Sequence, residues 1–416
     1  VSSRAPEVDL ADPALYAEGD PHAAWRALRE HAPVHWQSVS GTLGFWSVTR
    51  YADVERVLED HAHFTSERGT LLSILGRDDP AAGRQMAVTD PPRHDRMRAP
   101  LHRALRLRSA EAHAEPIRAG IRDLLPEAPP EGLDLDLSAA CAQLPLVVLG
   151  PLLGLPAADR PRLVGLAMMC AAEDDPEHQL PGGPEATLER GHRELFAYFA
   201  DLVRDRRRTH RERPPHDSGD LVDLLLTMEV DGERLTPGEV LSNCYSLLLG
   251  ASVTLAHVPP AAVLELTRTG RYAHWATRPE LLDSGVEEAL RWASPASHFM
   301  RHARRPLDLA GVRVAQGEAV VAWLGSANHD AAVFDRPGDF DPARRPNRHL
   351  AFGAGPHYCA GAGIARVTLR LFFAELFARY AEIEVTGAPR RARSTFLSGI
   401  THLPVRVRPR RKEAAR

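Results

Sequence analysis

Residues His349 to Gly361 read HLAFGAGPHYCAG and run directly into a helical pattern from Ile364 to Tyr380. One thiol, Cys359, therefore stands where a glycine-rich loop gives way to a helix. Gly353 and Gly355 allow left-handed backbone, or a close approach of the chain to a flat ligand. A thiolate at a helix mouth gains from the N-terminal dipole and from backbone N–H groups that have no helical partner. A lone cysteine is ordinarily a small buried apolar side chain. The loop around Cys359 predicts a sulfur held in the ionised form instead.

The composition sets the frame for that loop. A chain of 416 residues can make one large domain or two or three smaller ones. With no linker and no internal repeat, one domain over residues 1–416 is expected, with a frayed basic tail from about 408 to 416. The 34 prolines are dispersed, as in a loop-rich globular protein. A net charge of −4 gives no reason to expect nucleic acid or an anionic membrane as partner. Cys141, Cys170, Cys244 and Cys359 are far apart and form no CxxC pair, which fits a reducing compartment. Val1 to Asp20 is polar and acidic, without an apolar leader or spanning run. A soluble, cytoplasmic protein without a membrane anchor is the expectation.

Taken in order, Pro21 to His31 reads as an amphipathic helix and Val34–Trp36 with Gly44–Val48 as a hairpin around Ser40 and Gly41. Tyr51 to Leu58 is helical. Phe64 to Met86 has little periodicity, which in a compact domain marks a functional or mobile segment. Asp90, Pro91 and Pro92 suit a capped helix start, with His94 and Arg98 four apart on one face. Helices are predicted over Pro116–Leu125, Leu137–Leu155 and Leu188–His210, with a connection at Met168–Gly183. The cluster Arg204 to Arg208 reads as a solvated helix end. Thr236, Pro237 and Glu239 form a capping-box start. The helix they begin turns small at Gly250, Ala251 and Ser252 and meets Pro259 and Pro260, where a kink or stop is expected.

The loop resembles the heme-binding signature of the cytochrome P-450 family, F-G-x-G-x-H-x-C-x-G, at Phe352, Gly353, Gly355, His357, Cys359 and Gly361. The resemblance extends from Pro21 to Arg408 with further motifs in order. It implies a mainly α fold with a small β region, and heme b (iron protoporphyrin IX) between the central distal helix and the helix after the cysteine loop. Cys359 would then be the axial ligand of the heme iron. D-P-P-x-H-x-x-x-R matches at His94 and Arg98, and Arg301 follows SPASHFM at the spacing of another arginine of the family; with His357 these would bond the heme propionates. E-x-x-R matches at Glu288 and Arg291, and FDPAR supplies Arg344; the resemblance implies a buried structural triad.

The central helix matches at Gly250, Ala251 and Thr254, but Val253 replaces the family's acid, which leaves the proton route open. The implied activity is a monooxygenase that takes electrons from NAD(P)H through a ferredoxin reductase and a ferredoxin, and oxidises a small organic molecule, a secondary-metabolite intermediate. A peroxide-using enzyme and a non-catalytic heme-thiolate sensor remain open at this point. By resemblance the substrate pocket draws on the stretches Phe64–Met86, Gly165–Arg190, Leu247–Thr254, Ala296–Met300 and Ser398. Its expected residues include Gly250, Ala251, Val253, Ser297, His298 and Ser398. His102, Arg103, Arg106, Arg366 and Arg370 would form a basic docking face for an acidic ferredoxin.

Overall fold

The structure, a computed structural model, describes residues 8–105, 114–212 and 220–410. Its element boundaries follow local chemistry in most places. Helix α1 (Pro21–His31) starts on the Asp20 carboxylate, which accepts from the Ala23 N–H at 3.0 Å, with Pro21 in the first turn. Strands β1 (Val34–Ser40) and β2 (Leu43–Val48) turn at Gly41, whose φ is +53°. Both strands run further toward the turn than their apolar residues suggest, because backbone pairing continues through Gln37 and Ser38. Helix α2 (Tyr51–Glu59) follows.

A five-stranded sheet forms in the order β1-β2-β5-β4-β3, with β3 at Phe64–Thr65, β4 at His298–Ala303 and β5 at Ala319–Trp323. β5 is parallel to β2 and antiparallel to β4. All five residues of β5 are buried, as the alternation-free run AVVAW requires of a strand covered on both faces. A three-stranded sheet joins Tyr380–Val385, Pro404–Pro409 and Leu133–Asp136. Arg408 is part of it, opposite Glu382. Fraying from 408 is therefore corrected; residues 411–416 lie outside the described residues.

Three other expectations are corrected. The run Leu137–Leu155 is two helices, Leu137–Ala142 and Leu144–Leu152, because Pro145 can begin a helix but cannot continue one. Asp90 does not cap the next helix, α3 (Arg93–Ala104). Pro91 and Pro92 lack the amides a cap would bond, and the Asp90 carboxylate instead takes the Ser66 N–H at 2.9 Å, the Thr65 hydroxyl and Arg304. The connection before helix α4 (Gly183–Glu212) begins only after Ala171, where the helix Arg160–Ala171 ends. Within the basic cluster, Arg206 is not free in solvent: it pairs with Asp220 and Asp223.

The capping box forms as the sequence predicts. Thr236 Oγ accepts from the Glu239 N–H at 3.3 Å, and Glu239 accepts from the Thr236 N–H at 2.8 Å. Helix α5 (Pro237–Ser252) stops at the small residues, and Pro259 and Pro260 sit in the first turn of the next helix, Val258–Arg268. By length and composition the run Pro237–Arg268 could cross a membrane, but 56% of its apolar window is buried inside the protein, as in a core helix.

Helix α6 (Leu282–Ala293) and helix α7 (Ala362–Arg379) complete the frame. Leu369, Phe372, Phe373 and Leu376 of α7 are fully buried and meet Trp275 and Tyr272 in the largest apolar cluster. The charged residues of α7 are clamps rather than a free face. Arg366 bonds Glu287 of α6, Arg370 bonds Asp283, and Glu375 bonds Arg122.

Candidate active site

The cysteine loop is built by its own backbone. The Cys359 N–H donates to the Phe352 carbonyl at 2.9 Å, and the Gly353 N–H donates to the Leu350 carbonyl at 2.8 Å. Gly353 and Gly355 have φ of +71° and +67°, the left-handed region that an L side chain resists. Gly361 is the N-cap of α7, and its N–H donates to the Cys359 sulfur. The Arg366 guanidinium lies 4.6 Å from the centre of the Phe352 ring and holds the Tyr358 hydroxyl at 3.1 Å.

Cys359 lines a cavity of about 840 Å³ whose walls are predominantly apolar. Burial pushes its thiol up from the ordinary range; the Gly361 N–H and the charges of Arg98 and Arg366 act the other way.

Four basic side chains from three segments meet on the same cavity. Arg98 and His94 come from α3, Arg301 from β4, and His357 from the 3₁₀ turn Gly355–His357 of the cysteine loop. The rings of His94 and His357 are 4.2 Å apart between centres. Arg301 is buried, and among the described residues its guanidinium makes one hydrogen bond, from Nη1 to the Met300 carbonyl at 2.9 Å. Among the described residues no carboxylate bonds Arg98 or Arg301. Burial lowers Arg301 to about 10, and burial with Arg301, His94 and Arg98 lowers His357 to about 2. Two arginines without a carboxylate partner are costly in a protein interior, and the histidines beside them add neutral donors. The cluster fits a doubly anionic ligand beside a thiol, which is what heme with two propionates presents.

The expected triad residues also meet. Arg291 donates twice to Glu288, at 2.8 Å each, and Arg344 Nε donates to Glu288 Oε2 at 3.0 Å. Glu288 and Arg291 are fully buried.

Of the expected pocket residues, Gly250, Ala251 and Val253 line the cavity, and so does Thr254. Ser297, His298 and Ser398 do not, and this is a correction. Strand alternation explains the first part: Phe299 and Arg301 point to the cavity, so His298 and Met300 point away. His298 is fully buried, with Nδ1 at 3.2 Å from the Thr395 carbonyl and Nε2 accepting from the Leu72 N–H. Ser297 is also fully buried, and its N–H donates to the Phe396 carbonyl. At the 396–399 turn it is Phe396, not Ser398, that reaches the cavity; the Ser398 N–H donates to the Pro295 carbonyl.

Thr254 follows the end of α5 and donates its hydroxyl to the Gly250 carbonyl at 2.9 Å. Val253 is 2% exposed and packs with Ala167, Met168, Ala171 and Leu397. Three groups were missed in the sequence. Ser66 Oγ stands 3.2 Å from His357 Nε2 and ties the Asp90 network to the cysteine loop. Glu287 receives both Arg366 and His349. Asp79 and the ring cluster of His192, Phe196 and Tyr245 line the cavity. All three depend on contacts between distant segments; only the two prolines after Asp90 gave a local signal.

A family model described as cytochrome P450 matches residues 274–401. The chain is 33% identical over 404 residues to cytochrome P450 NovI of Streptomyces niveus, covering 96% of each chain. It is 30% identical over 416 residues to linalool 8-monooxygenase of Pseudomonas putida, covering 97% of this chain and 99% of the relative. Among solved structures it resembles P450 OxyD, involved in the biosynthesis of vancomycin-type antibiotics, at 32% identity and a TM-score of 0.83, over 97% of this chain and 100% of the other. A Mycobacterium marinum cytochrome P450 in complex with pseudoionone gives a TM-score of 0.86 at 28% identity, over 97% and 100% of the two chains.

Proposed function

The chain belongs to the cytochrome P450 family and is a heme-dependent monooxygenase, and from that premise we propose which of its residues hold the heme and what it oxidises. Cys359 would be the thiolate ligand of the heme iron, and Arg98, Arg301, His94 and His357 would hold the propionates. The observation that carries this reading is the convergence of a cavity-lining thiol with two arginines that no carboxylate bonds among the described residues. When bound, the heme supplies an iron that takes up O₂ and electrons and passes one oxygen atom to an organic substrate.

The chain's own residues do the rest. The Gly361 N–H and Phe352 shield the sulfur, and Arg366 fixes Phe352 from behind. The apolar wall excludes water from the substrate. Thr254 keeps its hydroxyl proton on the Gly250 carbonyl and turns its lone pairs to other donors.

Electrons come from NAD(P)H through a ferredoxin reductase and a ferredoxin. Arg103, exposed on α3, remains available for docking an acidic partner, while Arg366 and Arg370 are held by Glu287 and Asp283. Arg106 lies outside the described residues. The likeness to OxyD, a protein of antibiotic biosynthesis, supports a secondary-metabolite intermediate as substrate.

The test is spectroscopic. The reduced carbon monoxide complex should show the long-wavelength band of a thiolate-ligated heme. Cys359→His should move it to the position of an imidazole-ligated heme, and Cys141→Ala and Cys244→Ala should leave it in place. An unmoved band in Cys359→His would refute the assignment. One observation favours a second reading: Val253 supplies no acid, so a peroxide-driven reaction is consistent with the site. Turnover with hydrogen peroxide at the rate of the ferredoxin-driven reaction would establish it.

A further inference from the structure

One stretch of the cavity wall has a chemistry that heme binding does not use. Among the described residues that line the cavity, Asp79 contributes the only carboxylate. Its Oδ1 accepts from the Ala81 N–H at 2.8 Å, and it takes part in no ion pair among the described residues. It is half-buried, in the irregular segment between β3 and α3.

Opposite elements complete this wall. His192 and Phe196 stand four apart on α4, and Tyr245 comes from α5. The Tyr245 ring stacks on Phe196 at 5.1 Å between centres, 16° from parallel, and meets His192 edge-on at 5.4 Å. The Tyr245 hydroxyl is bonded to the Cys170 sulfur, so it offers the ligand its ring rather than its O–H. Asp79 lines the same cavity as this aromatic wall, and its charge is felt at both His192 and Tyr245.

A carboxylate covered by a neutral ligand loses water and gains nothing. Covered by an anion it is repelled as well. A cation would regain the lost solvation, and aromatic rings attract a cation further through their negative faces. Among the described residues neither a guanidinium nor an ammonium takes that role at Asp79. The four basic groups on the same cavity are the ones that suit the propionates, so they leave the substrate region without a competing cation.

We propose that Asp79, with the wall of Tyr245, Phe196 and His192, selects a substrate that carries a positively charged nitrogen on an apolar body. The charged end lies at Asp79, and the apolar body fills the rest of the cavity. This inference rests on the reading of the cavity as the monooxygenase substrate site.

The experiment compares three ligands on the holoenzyme: 4-phenylbutyltrimethylammonium, its neutral carbon isostere with a tert-butyl end, and 5-phenylpentanoate. The quaternary nitrogen has no lone pair, so it cannot bind the iron and imitate recognition. Affinities are measured by calorimetry and by the Soret shift, in wild type and in Asp79→Asn. The cation should bind about tenfold more tightly than the neutral isostere, a ratio within reach of one charged contact. The carboxylate should bind more weakly than either. In Asp79→Asn the cation-to-neutral ratio should fall to about one, with affinity for the neutral ligand little changed. Equal affinities in wild type, or a ratio unchanged in Asp79→Asn, would overturn the proposal. An intact carbon monoxide band beside such a result would sink the cation wall alone; an absent band would sink the iron-ligand assignment, while calorimetry would still read the charge preference.

Discussion

Gly355 of the cysteine loop faces Glu59 of α2 so closely that a Cβ at 355 would stand 2.7 Å from the Glu59 Cα and 2.7 Å from the Leu58 carbonyl oxygen. Both obstacles are backbone and cannot swing aside. Gly353 shares the left-handed φ, but the nearest atom to its Cβ would be 4.0 Å away. Gly353→Ala should therefore cost only the conformational term, about 1–2 kcal/mol. Gly355→Ala should cost that and an overpacking term of about 1–3 kcal/mol. Thermal unfolding of the two variants side by side checks the ordering, and equal losses would contradict the close approach.

Arg301 gives a prediction whose sign depends on the heme. Among the described residues its buried guanidinium has one partner, the Met300 carbonyl. Each charged hydrogen bond to a propionate contributes ~1.5–3 kcal/mol. Arg301→Met should weaken heme retention by more than tenfold, read as the rate of heme transfer to an acceptor protein. The heme-free variant should be as stable as wild type or more so, since an uncompensated buried charge has been removed. A heme-free variant that unfolds more readily would mean that Arg301 is a structural residue.

Glu287 sets an acid limit on stability. Burial works against its charge, but bonds from His349 and Arg366 hold it down at about 2. An unfolded glutamate titrates near ~4.3. Folding therefore favours the ionised form: the stabilisation is complete above the unfolded value and is lost as pH falls from about 4 to about 2. It is on the order of 2–3 kcal/mol, from a side chain 28% exposed. Glu287→Gln should lower stability at pH 7 and flatten the acid limb of the stability curve, measured by denaturant unfolding from pH 7 downward.

Arg291 illustrates a buried charge that does have partners. Besides Glu288 it donates to the carbonyls of Asn328 at 2.8 Å and Pro337 at 3.0 Å. Arg291→Met would leave Glu288 buried with a lost countercharge, a change of about 3–5 kcal/mol. Poor folding is expected, with the loss visible in the heme-free chain. That separates it from Arg301→Met.

The parts of this site that were legible in the sequence are those written in local spacing. The cysteine loop carries its glycines, its histidine and its thiol within thirteen residues, and the capping box at Thr236 is complete in four. The basic residues His94, Arg98 and Arg301 were found through motif resemblance, not through any visible convergence. What failed was orientation. Ser297 and His298 were placed in the pocket, but which residues of β4 face the cavity depends on its pairing with β5, where Arg301 lies opposite Val320. Arg366 and Arg370 read as a free basic face because Glu287 and Asp283 are about 80 residues away in the chain. Asp79 sits in a segment without periodicity, so nothing local distinguished it from its neighbour Asp78.

Val253, beside Thr254, is where the chain leaves its family's pattern, and the structure sharpens what to expect there. Val253 packs among Ala167, Ala171, Ala392 and Leu397, so an acid introduced at 253 would be a buried, unpaired carboxylate. Val253→Asp should therefore destabilise the fold before it reports on proton delivery. Thr254 is the better probe. Its hydroxyl makes one hydrogen bond, to the Gly250 carbonyl, and Thr254→Ala should cost only about 1 kcal/mol of stability with heme content unchanged. If the hydroxyl orders the proton supply in the cavity, the variant should still consume NAD(P)H through its redox chain while releasing several times more hydrogen peroxide per NAD(P)H. Thr254→Ser keeps an oxygen at the same place and should restore the wild-type ratio. Unchanged peroxide release in Thr254→Ala would show that protons reach the cavity without this hydroxyl. Release that rises equally in the Ala and Ser variants would assign the effect to the lost methyl group and its packing.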